Sequence, residues 1–125
     1  MRIIKEIEIE GKKAVALFDS GAFHSYVKTG LLKGAPLRKI PVVPYRVAIG
    51  GREIRVKEHY AVWGKIDGYA FSTYVTRTTS LGKIDGKKLD AIIGAETMEA
   101  WEITLDPRKG TLGLEGLKRK EFTEY

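Results

Sequence analysis

Glycine-bearing turn signals cut this chain into short pieces, and their spacing limits the fold more than any other feature. At Glu10-Gly11, Gly50-Gly51, Asp67-Gly68 and Asp85-Gly86 a glycine stands where a tight hairpin needs positive φ. Asp106-Pro107-Arg108-Lys109-Gly110 makes a longer turn. The segments between them alternate with period 2. Ile3, Ile7 and Ile9 share one phase, joined only by Lys5, while Glu6, Glu8 and Glu10 take the other. Val47, Ile49, Ile54 and Val56 alternate about Gly50-Gly51. The tetrapeptide Lys-Ile-Asp-Gly at 65–68 and again at 83–86 reads as a repeated turn and not as a duplication. Helical character is confined to residues 95–101, a stretch rich in Ala, Glu and Met that follows Gly94. Residues 28–46, with Pro36, Pro41 and Pro44, read as an irregular arm. Strands at such intervals, closed by one short helix, predict a single all-β domain, a small barrel or sandwich.

At 125 residues the chain has length for one core; residues 1–115 are expected to form that domain and 116–125 a C-terminal tail. Hydrophobic residues at 43% beside charged residues at 30% are the balance of a water-soluble domain. No apolar run approaches the ~20 residues of a membrane helix, so no membrane association is expected. The first residues do not form a basic-then-apolar leader and cysteine is absent, which makes a cytoplasmic location the expectation. A net charge of +6 leaves acidic partners open. The basic residues are nevertheless interspersed with Asp and Glu, the tightest cluster is Lys118-Arg119-Lys120, and no nucleic-acid-binding motif is present, so nucleic acid is not an expected partner.

Most catalytic chemistries find no foothold. His24 and His59 are the only histidines, neither has a carboxylate at helical i+4 spacing, and no metal site is expected; both are read as surface or lining residues. Gly50-Gly51 lies within strand alternation and does not open a phosphate-cradling helix, and no cofactor is expected. No serine sits in a Gly-x-Ser-x-Gly elbow, so a Ser-His-Asp triad is not supported. Trp63 and Trp101 are assigned to the core, and Asp67, Asp90 and Asp106 to turns and strand ends.

One carboxylate stands apart. Residues 16–27 read ALFDSGAFHSYV, in which an apolar strand runs directly into Asp19. An aspartate there is ordinarily a turn residue that bonds the backbone two positions on. The flanks say more. Asp19-Ser20-Gly21-Ala22, preceded by Leu17-Phe18 and followed by Ser25, resembles the catalytic loop of retropepsin-like aspartic proteases. Asp90-Ala91-Ile92-Ile93-Gly94 with the helix after it resembles the strand and helix that thread beside that loop. Residues 49–56 resemble the family's glycine-tipped flap, and residues 103–112 the hairpin that follows the helix. The resemblance spans residues 1–115 in the right order. Ala95 stands where retroviral members carry arginine, and the nearer analogue is a cellular member such as the protease domain of DNA-damage-inducible proteins.

That resemblance implies a small closed barrel of the acid-protease type with one short C-terminal helix, and aspartic endopeptidase activity without metal or cofactor. Hydrolysis needs one carboxylate to polarise water and another, protonated, to donate to the scissile carbonyl. This chain has one such loop, so the family's solution is a homodimer in which each subunit contributes Asp19. Asp19, Ser20 and Gly21 would be the catalytic residues. Gly21, Ala22, Ile49, Gly50 and Gly51 would hold an extended peptide or protein substrate. The alternative reading is a non-catalytic protein- or nucleic-acid-binding module on the same fold.

Overall fold

A computed structural model describes residues 1–121. In chain order it contains β1 (Arg2–Ile9), β2 (Lys12–Asp19), β3 (Ser25–Lys28), a 3-10 turn (Thr29–Leu32), β4 (Arg38–Ile49), β5 (Arg52–Ile66), β6 (Tyr69–Thr78), β7 (Lys83–Ile84), β8 (Lys87–Lys88), β9 (Ala91–Ile93), α1 (Ala95–Ala100), β10 (Thr104–Asp106), β11 (Thr111–Gly113) and α2 (Glu115–Glu121). The hairpin turns fall where the sequence places them. Glu10-Gly11, Gly50-Gly51, Asp67-Gly68 and Asp85-Gly86 all have positive φ at both positions, the geometry that matches the twist of paired strands.

The main sheet runs β1-β2-β9-β3-β6-β5-β4, and β1 also pairs with β5 through Glu8–Lys65 and Ile9–Gly64. The long β5 thereby bends the sheet into a ring of six strands, with β4 carried outside it on β5. The all-β class therefore fits the sequence reading. Inside the ring lies the larger core, in which Ile7, Ile9, Phe18, Val27, Phe71 and Ile93 are buried together. A second cluster of Leu17, Tyr26, Leu81, Leu89 and Ile92 lies on the outer face of β2, β3 and β9. Those three strands are covered on both faces, which is why residues 14–18 and 91–93 read as continuous apolar runs and not as alternation.

Several expectations need correction. Residues 38–46 are not an irregular arm but part of β4, paired with β5 and broken by a register shift between Pro41 and Tyr45. Proline is tolerated because β4 is an edge strand with no ladder partner on its other side among the described residues. Trp63 is 65% exposed and not in the core; Val62, Gly64 and Ile66 take the inward phase of β5, which turns Trp63 outward. Trp101 is half-buried, stacks edge-on to Phe71 and donates from its indole nitrogen to the Ser72 carbonyl oxygen at 2.8 Å. The expectation of one α-helix misses α2, which contacts β6 and buries Leu117 in the main core. Of the expected tail, residues 122–125 lie outside the described residues.

Candidate active site

Strand β9 passes between the consecutive strands β2 and β3, parallel to the first and antiparallel to the second. The connection from Asp19 to Ser25 must therefore cross the end of β9, and it does so at Gly94. A Cβ built on Gly94 would lie 2.6 Å from the carbonyl oxygen of Phe23 and closer still to that of His24. Only glycine permits this crossing. The loop is then locked to α1: the Ala95 and Glu96 amides donate to the Ala22 and Phe23 carbonyl oxygens at 2.7 and 3.0 Å. From below, the buried Ser25 hydroxyl accepts from the Gly94 amide at 3.0 Å and pairs with the Thr97 hydroxyl at 2.7 Å. Thr97 pairs in turn with Thr73 at 2.7 Å.

On this support Asp19 is half-buried at the end of β2. Its Oδ1 accepts the Gly21 amide at 2.9 Å, and its carbonyl oxygen accepts the Ala22 amide at 3.1 Å. The ordinary turn role and the proposed chemical role coincide: the bond that makes the turn also fixes the direction of the carboxylate. Ser20 is exposed, with its amide and hydroxyl both within reach of the Met1 carbonyl oxygen at 3.1 and 3.4 Å.

Asp19, Gly21 and Ala22 share one cleft of about 610 Å³ with Ile49 and Gly50 of the β4–β5 tip. Of the seven site residues read from the sequence, these five meet there; Ser20 and Gly51 do not line it. The floor is the second apolar cluster, through Leu17, Tyr26, Leu81, Leu89 and Ile92. Asp19 is the only carboxylate among its lining residues, and Arg2 and Lys83 are the cations. The tip lies over its own chain, where a Cβ on Gly50 would approach the Leu81 backbone at 3.9 Å. Arg52, just past the tip, reaches the Thr78 and Thr79 hydroxyls at 3.3 Å each and the Ser80 carbonyl oxygen at 3.2 Å.

A ring cluster that the sequence did not announce ties the loop to the hairpin. His24 of the loop stacks on Tyr45 of β4 with centroids 4.7 Å apart, and the Tyr45 hydroxyl meets His59 Nε2 of β5 at 2.6 Å. Burial, then the neighbouring imidazole of His24, holds the His59 pKa below its ordinary value, with Glu96 acting in the opposite sense. Burial pushes Tyr45 up, and pushes the adjacent Tyr26 to about 12. His24, Tyr45 and His59 lie far apart in the chain, so no local pattern could have grouped them.

Asp67, Asp90 and Asp106 make local and ladder contacts away from the cleft. Asp90 accepts the Val15 amide at 2.9 Å and pairs with Lys28 at 3.3 Å. Asp106 accepts the Arg108 and Lys109 amides at 3.1 and 3.2 Å, and Asp67 pairs with Lys5 at 3.1 Å. Among the described residues no group of three His, Asp or Glu side chains is placed to hold a metal ion. No helix among them is long and apolar enough to cross a membrane. No family model matches this chain, and no curated protein matches it.

Proposed function

We propose that the protein is an aspartic endopeptidase that works as a homodimer, each protomer supplying Asp19 to a shared site. The observation that carries this reading is the single cleft in which the fixed Asp19 loop faces the glycine tip of the β4–β5 hairpin across an apolar floor. Such a space suits an extended chain, with backbone groups gripped between loop and hairpin and apolar side chains seated on the floor. The resemblance of the Asp19-Ser20-Gly21-Ala22 loop to that of retropepsin-like proteases supports the same chemistry.

One protomer holds one carboxylate in the cleft, so the partner must bring the second. The ionised Asp19 takes a proton from a water whose oxygen attacks the scissile carbonyl carbon, and the partner's Asp19, protonated, gives its proton to the carbonyl oxygen. The resulting diol collapses, the C–N bond breaks, and the departing nitrogen takes a proton from the carboxyl pair. The experiment is digestion of a mixed peptide library by the wild-type chain and by Asp19→Asn, read by mass spectrometry, with sedimentation of both. Cleavage by a dimer and none by the variant is expected. A monomer that cleaves, or cleavage that survives Asp19→Asn, overturns the reading.

A further inference from the structure

Away from the cleft, the outer part of β5 and the end of β6 enclose two adjoining depressions of about 260 and 600 Å³ that share Thr29, Tyr60 and Arg77. Their charged lining is one-sided: Lys33, Lys39, Arg55, Lys57 and Arg77 against Glu58 alone. None of these residues lines the Asp19 cleft. Five of the 22 Lys and Arg residues dispersed along the sequence are thus brought by the fold to one groove.

Arg77 sits at the junction and is held in place before any ligand arrives. Its Cζ lies 4.0 Å over the Tyr60 ring, and one Nη donates to the Tyr60 hydroxyl at 2.7 Å. The Tyr60 hydroxyl donates onward to Glu58 at 2.6 Å, and Lys39 stands 3.7 Å from the same carboxylate. Glu58 is therefore already engaged, while the remaining donors of Arg77 point to no partner among the described residues. A planar fork with fixed direction and free donors suits a carboxylate. Arg55 and Lys57 are exposed at alternate positions of β5 and carry no ion pair among the described residues. Their separation along the strand is ~6.8 Å, the same as that between alternate side chains of any extended peptide.

We infer that this groove binds an acidic segment of a protein chain in extended conformation, with alternate Asp or Glu side chains on one face of the segment meeting Arg55 and Lys57 and an acidic side chain on its other face meeting Arg77. A nucleic-acid strand fits less well, because the one aromatic residue of the groove, Tyr60, is buried and covered by Arg77, leaving no face on which a base could stack. If the protein cleaves peptides as proposed above, the groove selects substrates that carry an acidic stretch outside the cut site. Binding itself does not depend on cleavage.

The test uses the full chain carrying Asp19→Asn, so that binding is measured without turnover and its failure is separate from failure of the protease reading. Fluorescence anisotropy follows a labelled peptide of alternating Glu and Ala at low salt. Binding is expected to weaken with added salt and to fall about tenfold when Arg55→Glu and Lys57→Glu are combined. Arg77→Lys, which keeps the charge but loses the fork, is expected to cost about threefold. Arg108→Glu with Lys109→Glu makes the same change of charge in the β10–β11 turn, outside the groove, and should leave affinity within about twofold. Equal losses from the two double variants would reduce the effect to net charge and overturn the inference. So would absence of peptide binding at low salt, or tighter groove-dependent binding of an oligothymidylate than of the peptide.

Discussion

The Asp19 loop and the Gly50-Gly51 hairpin face each other across one cleft, yet they are held in opposite ways. The loop is fixed by buried groups: Gly94 beneath it, the Ser25 and Thr97 hydroxyls behind it, and two amides of α1 on its carbonyl oxygens. The hairpin beyond Tyr60 is a two-stranded ribbon, since β6 pairs with β5 only from Tyr60 onward. It is steadied by exposed and half-buried contacts, from Arg52 to the 78–80 segment and from Tyr45 to His59 and His24, and by Val47 and Ile49 resting partly buried on the second apolar cluster. Buried hydrogen bonds persist because breaking them strands polar groups without water, whereas exposed ones exchange with solvent at little cost. The chain thus sets a carboxylate on a buried support opposite an element that fewer buried groups hold.

The largest effect is expected at the carboxylate. Asp19→Asn retains an oxygen that can accept the Gly21 amide, so the fold and melting temperature should hold. Peptide turnover should fall by about a hundred- to ten-thousandfold, the range general acid–base groups contribute. Mixed with wild type in excess, the variant should also suppress activity through heterodimers if protomers exchange.

Next come the supports of the loop. Gly94→Ala drives a methyl group into the Phe23 and His24 carbonyl oxygens, which are backbone and cannot swing aside. A loss of about 1–3 kcal/mol is expected by denaturant titration, as for other overpacked sites. Ser25→Ala strands the buried Gly94 amide and should cost about 1–3 kcal/mol for an unsatisfied buried donor. Both should lower turnover along with stability, because the loop and its carboxylate move together.

The hairpin should behave otherwise. Replacing Gly50 and Gly51 by valine places branched side chains at φ values of 57° and 76°, costing about 1–2 kcal/mol per residue in the turn. The ribbon can fray outward from the tip without exposing the main core, so turnover should drop far more than melting temperature. A large fall in melting temperature with little change in turnover would break the comparison between fixed loop and free hairpin.

What the sequence made legible follows the same division. β1 has one wet face, so Ile3, Ile7 and Ile9 advertise it, and the positive-φ turns are written in glycine. Asp19, Gly21, Ala22, Ile49 and Gly50 stand out in local patterns of the sequence, and the structure brings them to one cleft. β4 was obscured by Pro41 and Pro44, which argue against a strand unless its edge position is known. Trp63 was misplaced although the signal was present: Val62 and Ile66 share one phase and Trp63 lies between them. α2 offers only Leu117, with Leu114 just ahead of it, too little to stand out among charges. The hydroxyl chain from Ser25 through Thr97 to Thr73 joins positions as far as 72 residues apart, and no pattern within one segment reports it.

The smallest expected effect concerns the ring cluster, which links the two regions. Titratable groups converge on it from several elements: His24 from the loop, Tyr45 from β4, His59 from β5, Tyr26 from β3 and Glu96 from α1. His59 accepts or donates at Nε2 to the Tyr45 hydroxyl, and its folded pKa lies below the ordinary 6.5. The folded state therefore binds this proton less readily than the unfolded chain. Stability from His59 is complete above pH 6.5 and is lost as pH falls through the folded value. Protonation also adds charge beside His24, which loosens the hairpin's attachment to the loop. Unfolding titrations between pH 7 and 5 should show falling stability in the wild-type chain and a flatter profile in His59→Gln. Glu58 is held low mainly by the Tyr60 hydroxyl, from an ordinary value of 4.5, so its loss belongs to a lower window and does not blur the reading. Equal slopes for the two chains above pH 5 would mean that the link between loop and hairpin does not run through His59.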